Sequence, residues 1–381
     1  MLGLADFDEI LLPIEAIYDK FAESILSDIA RRLLKAGKIT STAAWQSQRV
    51  IESGKVFGDV VNRISEITGV SKKELYKAFK EAGVRSLKYD NSLLVKAGLS
   101  AVNLNLSPAM QRILVLNMKK TASLMQNLTM STAIRSQTSF LEALDLSYMQ
   151  VVHGGMDYRT AVKTAVKSVA RRGVEVVHYP SGRVDQLDVA MRRAVLTGVA
   201  QTATALTWEN LVDNDIDLIE VSAHIGARNK GDVPENHALW QGYVYSRKNN
   251  PDFPDFLTVT GYGTKTGLSG INCRHSFYPY FEGTPRKYDE ETLEAYRNKT
   301  VLHRGKEIDF YKATQMQRKQ ERKIRDAKRE ANTLQAVGLN NREEYQKVRK
   351  LQAQMRRFIA ETGLDRKPER EGGKVILLDS K

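Results

Sequence analysis

The sequence predicts an α+β protein that is mainly helical. A helical N-terminal region (1–170) precedes a small central α+β domain with long loops (171–310), and a basic helical hairpin with a disordered end (311–381) follows. Three observations predict this. Apolar residues recur at helical spacing through most of the first 170 residues. At Val174 the texture changes to short β-rich runs, one long helix and then loops dense in glycine and aromatics. From Tyr311 a helical pattern returns, now polar and rich in Lys and Arg.

In the N-terminal region, Pro13 and Pro108 fit helix starts or breaks. From Ile14 the set Ile17, Tyr18, Phe21, Ile25, Ile29 and Leu33 lies on one helical face, and Gly37 is the expected stop. A second helix is expected after Ser41 and Thr42, through Val50, Ile51, Val56 and Val60. Ser71 precedes Glu74 by three residues, the spacing of a capping box, and predicts a further helix start. Ser107-Pro108 opens another helix through Ile113, Leu116 and Leu124. The Gln, Asn, Ser and Thr content of 125–139 predicts a looser helix or a boundary. "MDYRTAVKTAVKSVARRG" is a clean amphipathic helix with Ala161, Ala165, Val166 and Val169 on one face and Gly173 as its stop.

In the centre, "VEVVHYPSGRVDQLD" reads as a β-hairpin turned at Ser181-Gly182. A long helix is predicted over 188–211, and "IDLIEVSAH" is a short buried strand. Gly226 to Gly283 reads as long loops, of the kind that are functional or unusually well tied down. In the tail, Ile324, Ala327, Ala331 and Leu334 form a thin stripe, Gly338 breaks the helix, and Tyr345, Val348, Leu351, Met355, Phe358 and Ile359 form a fuller one. The chain from Lys367 to Lys381 reads as disordered.

Charge is distributed unevenly. The net charge is +13, with 22 Lys/Arg against 16 Asp/Glu in 1–170, 17 against 19 in 171–310, and 19 against 10 in 311–381. An excess concentrated in the tail is the footprint of a protein that meets an acidic polymer or partner. Solvated helices rich in Lys and Arg give the same composition without a partner. The cations best placed for DNA are Arg318, Lys319, Arg322, Lys323, Arg325, Lys328, Arg329, Arg349, Lys350, Arg356 and Arg357. Arg228, Lys230 and Lys265 offer phosphate contacts from the central loops. No stretch is apolar for the length of a membrane span, and no basic-then-apolar secretory leader is read at the start.

A single cysteine, Cys273, excludes a disulfide framework and a zinc site of several thiolates. It stands in "GLSGINCRHSFYPYF". The candidate metal ligands are His224, His237, Cys273 and His275, with Asp232 or Glu235 nearby. Against this, Cys-x-His is not a usual zinc pair, and His237 and Asn272 would equally serve buried backbone groups while Cys273 packs as a small apolar residue. A Cys273 nucleophile paired with His224 or His237 and oriented by Asn272 is the catalytic alternative, a hydrolase or nuclease centred on His224, His237, Cys273 and His275. "GYGTKTGLSG" lacks P-loop spacing and reads as a flexible β-excursion. The aromatics of "WQGYVYSRKNNPDFPDF" and "HSFYPYF" fit core packing better than base stacking. No cofactor is expected other than a metal on these side chains.

The segments "EVSAHIGAR", "HALWQG" and "VTGYGTKTGLSGINCRHSFYPYFEG" resemble the phage minor capsid protein 2 family, which is related to the Mu F-like minor head proteins. The family mark is His-x-x-x-x-Gly followed downstream by Asn-Cys-Arg, here His237 with Gly242 and Asn272-Cys273-Arg274; Arg228 and His275 fit the narrower family. The wider family often has a second Cys where this chain has His275. The resemblance implies a structural, non-enzymatic virion component, made in the host cytoplasm and located in the phage head. It implies contact with the portal protein and the capsid interior, a part in head assembly or in DNA packaging and ejection, and contact with double-stranded DNA. Some relatives carry a C-terminal toxin domain; the segment after Phe310 reads as helical and basic instead. Within the signature, Asn272, Arg274 and His275 are expected to tie the loop back to "HALWQG", with Cys273 packed beneath.

Overall fold

The computed structural model describes residues 1–36, 42–178, 180, 182 and 184–378. Gly37, Ser41 and Ser181, expected as a helix stop, a helix lead and a hairpin turn, lie outside the described residues. In chain order the elements are α1 (Leu4–Ala36), α2 (Thr42–Lys96), α3 (Pro108–Val152), α4 (Tyr158–Arg172), β1 (Glu175–His178), β2 (Val184–Gln186) and α5 (Leu187–Asp213). They continue with β3 (Leu218–Val221), α6 (His237–Trp240), β4 (Val244–Ser246), α7 (Phe256–Thr260), β5 (Phe277–Pro279) and α8 (Glu290–Arg297). The last are β6 (Thr300–His303), β7 (Lys306–Asp309), α9 (Phe310–Ala336), α10 (Arg342–Thr362) and a 3-10 turn at Pro368–Glu371. Long helices with small antiparallel sheets make this the mainly helical α+β fold that the sequence predicts.

Several local expectations give way to packing. Pro13 neither starts nor breaks a helix but lies inside α1. Its cost, about 3 kcal/mol in a helix interior, is offset because Phe7, Ile10, Leu11 and Ile14 are all buried on one face while Pro13 is exposed. Ser71 is no capping residue: it is buried in the middle of the 55-residue α2. Residues 125–139 form a regular part of α3 rather than a loose segment.

The "GYGTKTGLSG" stretch is not a β-excursion. It folds on itself as consecutive turns, with Leu268 N–H donating to the Thr260 carbonyl (2.9 Å) and Ile271 N–H to the Lys265 carbonyl (2.9 Å). Leu268 is buried in the core, which anchors the turns. The end of the chain is not disordered through Leu378. Asn341 donates to the Ile376 carbonyl (3.0 Å) and accepts from Leu378 N–H (2.9 Å), and Arg366 grips the buried Glu371 carboxylate through two bonds of 2.8 Å.

The described chain groups into two compact units, each assembled from three separate segments. One comprises Met1–Ile14, Ser71–Met125 and Arg192–Thr314; the other comprises Glu15–Val70, Gln126–Met191 and Gln315–Lys381. The units part at Thr314/Gln315, close to the expected division at 310, whereas the transition nearest the expected division at 170 is Met191/Arg192. Three other transitions fall at features the sequence marks: just after Pro13, at Ser71, and at the start of the polar stretch that follows Met125.

In the first unit, β3 is the central strand of an antiparallel sheet ordered β4-β3-β5, with Ile219 opposite Tyr245 on one side and Pro279 on the other. All four β3 residues are buried, Glu220 among them, whose carboxylate accepts from Lys287 N–H at 2.7 Å. Leu94, Leu211, Trp240, Phe256, Leu268, Cys273 and Phe277 pack with Ile219 and Val221 in one core. Trp208 stacks near Tyr262 and Phe256, with ring centroids 5.4 and 5.8 Å apart. The loop aromatics thus build the interior of a region with little regular structure.

The second unit is held by helix packing and by partly buried ion pairs. Arg32 joins Asp28 and Glu52 at 2.8 and 2.5 Å, and Arg325 meets Asp188 at 3.2 Å. The predicted α4 is present with Asp157 as its N-cap and Gly173 as its C-cap. The α9 stripe of Ile324, Ala327, Ala331 and Leu334 is buried as predicted.

Candidate functional site

Three of the four candidate ligands converge in the first unit. His237 opens α6, which Asn236 caps by accepting from Ala238 N–H (3.2 Å). Trp240, at the other end of α6, donates to the Pro234 carbonyl (2.9 Å), and Tyr245 donates to the Trp240 carbonyl (2.7 Å), so the short helix is pinned on both sides. Cys273 and His275 lie in the extended segment leading into β5. Residues two apart in extended chain point to the same side, which removes the spacing objection to Cys-x-His. The positive φ of Asn272 (61°) turns the chain into this segment.

The Cys273 Sγ lies 3.6 Å from His275 Nδ1 and 3.8 Å from His237 Nδ1. One ligand atom from each of the three residues lies within 4.8 Å of the others, and none of the three exposes more than 3% of its surface. The far nitrogens are committed elsewhere. His237 Nε2 donates to the Thr266 carbonyl at 2.8 Å, since a carbonyl can only accept. His275 Nε2 donates to Gln241 Oε1 at 3.0 Å, the same oxygen that accepts His224 N–H at 3.0 Å. Both neutral rings therefore carry the proton on Nε2 and turn an Nδ1 lone pair toward the sulfur.

His224 does not join the triad. Its ring stacks on His275 with centroids 4.3 Å apart, and its Nδ1 lies 3.1 Å from the Ile225 carbonyl. Asp232 and Glu235 are exposed, and neither belongs to the cluster.

Burial dominates the electrostatics. It pushes the Cys273 thiol up to about 11 and the His237 imidazole down to about 4, and it holds His275 well below its ordinary value. A nucleophilic cysteine needs an accessible thiolate beside an imidazolium. Here a protonated thiol and neutral rings are enclosed, and Asn272 is exposed at the turn, so the geometry does not build that arrangement.

The signature residues have specific structural work. Arg274 pairs with Asp8 Oδ1 at 3.0 Å, on the first turns of α1. Arg228 donates to the Thr266 carbonyl (3.1 Å), which His237 also uses. At Gly242 φ is +77°, and a Cβ would stand 2.3 Å from Leu293 Cδ2 and 3.2 Å from Ala223 Cβ. Only glycine meets both demands. Sequence reasoning missed Gln241, Thr266 and Asp8. Gln241 lies inside "HALWQG", one residue before the signature glycine, but no spacing rule ties it to His275.

Of the tail cations, Arg325, Lys328 and Arg329 are turned inward, contrary to the expectation of DNA contact. Arg325 pairs with Asp188, Arg329 with Asp326 at 3.5 Å, and Lys328 donates to the Gly372 carbonyl at 2.9 Å. Arg318 is half-buried, whereas Lys319, Arg322, Lys323, Arg349, Lys350, Arg356 and Arg357 face solvent. Among the central-loop cations, Lys230 and Lys265 are exposed. No helix among the described residues is long and apolar enough to cross a membrane.

The signature residues thus form an enclosed cluster within the core of a mainly helical α+β protein. A family model for phage minor capsid protein 2 matches residues 5–360, and the chain belongs to that family. It is 34% identical over 129 residues to a protein described as a structural protein of Lactococcus phage mv4, covering 32% of this chain and 93% of that one. It is 29% identical over 193 residues to a structural protein of Lactococcus phage LL-H, covering 47% and 46% of the respective chains. No solved structure matches.

Proposed function

We propose that the chain is a minor structural component of the phage head, located in the virion near the portal and the capsid interior. It acts in head assembly or in packaging and ejection of the genome. Its work is done by surfaces, and one of these meets double-stranded DNA. Family membership supports the head assignment. The observation that carries DNA contact is the set of solvent-facing cations on α9 and α10: Lys319, Arg322, Lys323, Arg349, Lys350, Arg356 and Arg357. Each phosphate neutralised releases condensed counterions, so the affinity should fall steeply with salt.

The location is tested in purified particles. Mass spectrometry of mature virions should detect the chain at low copy number, and cryo-EM should place it beside the portal vertex. Its absence from mature particles, or an even distribution over the shell, would overturn the portal assignment.

A further inference from the structure

We propose that His237, Cys273 and His275 form a buried structural site for one transition-metal ion of the zinc type, bound through His237 Nδ1, Cys273 Sγ and His275 Nδ1.

The distances fit a shared ion. Metal–sulfur and metal–nitrogen bonds of about 2.3 and 2.0 Å at a tetrahedral angle set sulfur and nitrogen about 3.5 Å apart. The two Sγ–Nδ1 separations are 3.6 and 3.8 Å. A thiol has one proton and can satisfy one imidazole lone pair, whereas two lone pairs face this sulfur. An ion accepts from both nitrogens and from the thiolate at once.

The outer partners also fit. A ligating histidine characteristically gives its other N–H to a carbonyl or carboxylate, which sets the tautomer and aims the ring. Both rings do so, His237 to the Thr266 carbonyl and His275 to Gln241 Oε1. Thiolate and imidazole together select zinc and its neighbours over magnesium or calcium. Binding releases the thiol proton to solvent, with no change of oxidation state. Three protein ligands leave a fourth corner for water. The ion would clamp α6 to the segment entering β5, across loops that contain little regular secondary structure.

Cys273 is the sole thiol in the chain, so a thiolate-to-metal charge-transfer band reports on this site alone. The untagged full chain is expressed in cobalt(II)-supplemented medium, so that the ion is present as the protein folds, and is purified without chelators. The expected result is one cobalt per chain, a sulfur-to-cobalt charge-transfer band and intense tetrahedral d–d bands, all bleached by zinc. Folded protein without a bound ion, or with cobalt but no charge-transfer band, overturns the proposal. Cys273→Ser should lose the charge-transfer band, and His275→Gln should lower cobalt occupancy at least tenfold. If either variant fails to fold, the spectrum of the unaltered chain still decides.

Discussion

Arg274 Nη2 lies 3.0 Å from Asp8 Oδ1, joining residues 266 positions apart, and both side chains are mostly buried. Arg192 reaches the same oxygen at 3.3 Å. The Asn-Cys-Arg signature is thereby fastened to the first turns of α1. Removing one partner of such a pair leaves the other poorly solvated. Arg274→Ala should cost about 2–3 kcal/mol, and a double-mutant cycle with Asp8→Ala, read by denaturant unfolding, should show coupling. Additive losses would mean that the pair is incidental.

Gly242 carries two constraints, a left-handed φ and close contact with Leu293. Gly242→Ala should destabilise by about 2–4 kcal/mol, combining backbone strain with overpacking. In a Leu293→Ala background, Gly242→Ala should cost only the backbone part. Thermal unfolding of the single and double variants separates the two.

Asp90 is fully buried and accepts a hydrogen bond from Thr207 at 2.6 Å. Burial raises its carboxyl to about 7, against a modest opposing effect of that bond. The folded state therefore holds a proton that the unfolded chain releases near 3.8. Stability should fall as pH rises through this window and level off above it. Asp90→Asn keeps an acceptor for Thr207 and imitates the protonated form. Its advantage in Tm over the parent should grow between about pH 5 and about pH 8; a constant difference would contradict the assignment.

Arg322, Lys323, Arg349 and Lys350 are exposed, whereas Lys328 is buried against Gly372. Changing the first four to Gln should weaken duplex binding and flatten its salt dependence, by up to about 0.9 in log–log slope for each phosphate that is no longer neutralised. Lys328→Gln should lower Tm while leaving the salt slope unchanged. Fluorescence anisotropy at two salt concentrations provides the readout. An unchanged slope in the fourfold variant would remove DNA contact from this surface.

Asn341 donates to the Ala331 and Ile376 carbonyls and accepts from Leu378 N–H, so one side chain secures the final segment. Asn341→Ala should cost about 1–3 kcal/mol, the penalty for buried groups left unsatisfied. Hydrogen exchange should show the segment 374–378 losing protection before α10 does.

What was legible in the sequence is what local chemistry controls. The period of α4, its Gly173 stop, the α9 stripe and the short buried strand β3 each follow from residues a few positions apart. The family signature was legible in the same way, because His237, Gly242 and Asn272-Cys273-Arg274 stand at recognisable spacing. Local signals misled where a long-range apolar face outweighed them, as at Pro13 within α1 and Ser71 within α2. Tertiary structure alone decided the rest. It brought Cys273 to His237 across 36 positions, chose Asp8 for Arg274, and drew Arg325, Lys328 and Arg329 inward. These outcomes depend on which elements pack together. A side chain's charge or ligand type states what it can bind, and only the packed fold decides what lies within its reach.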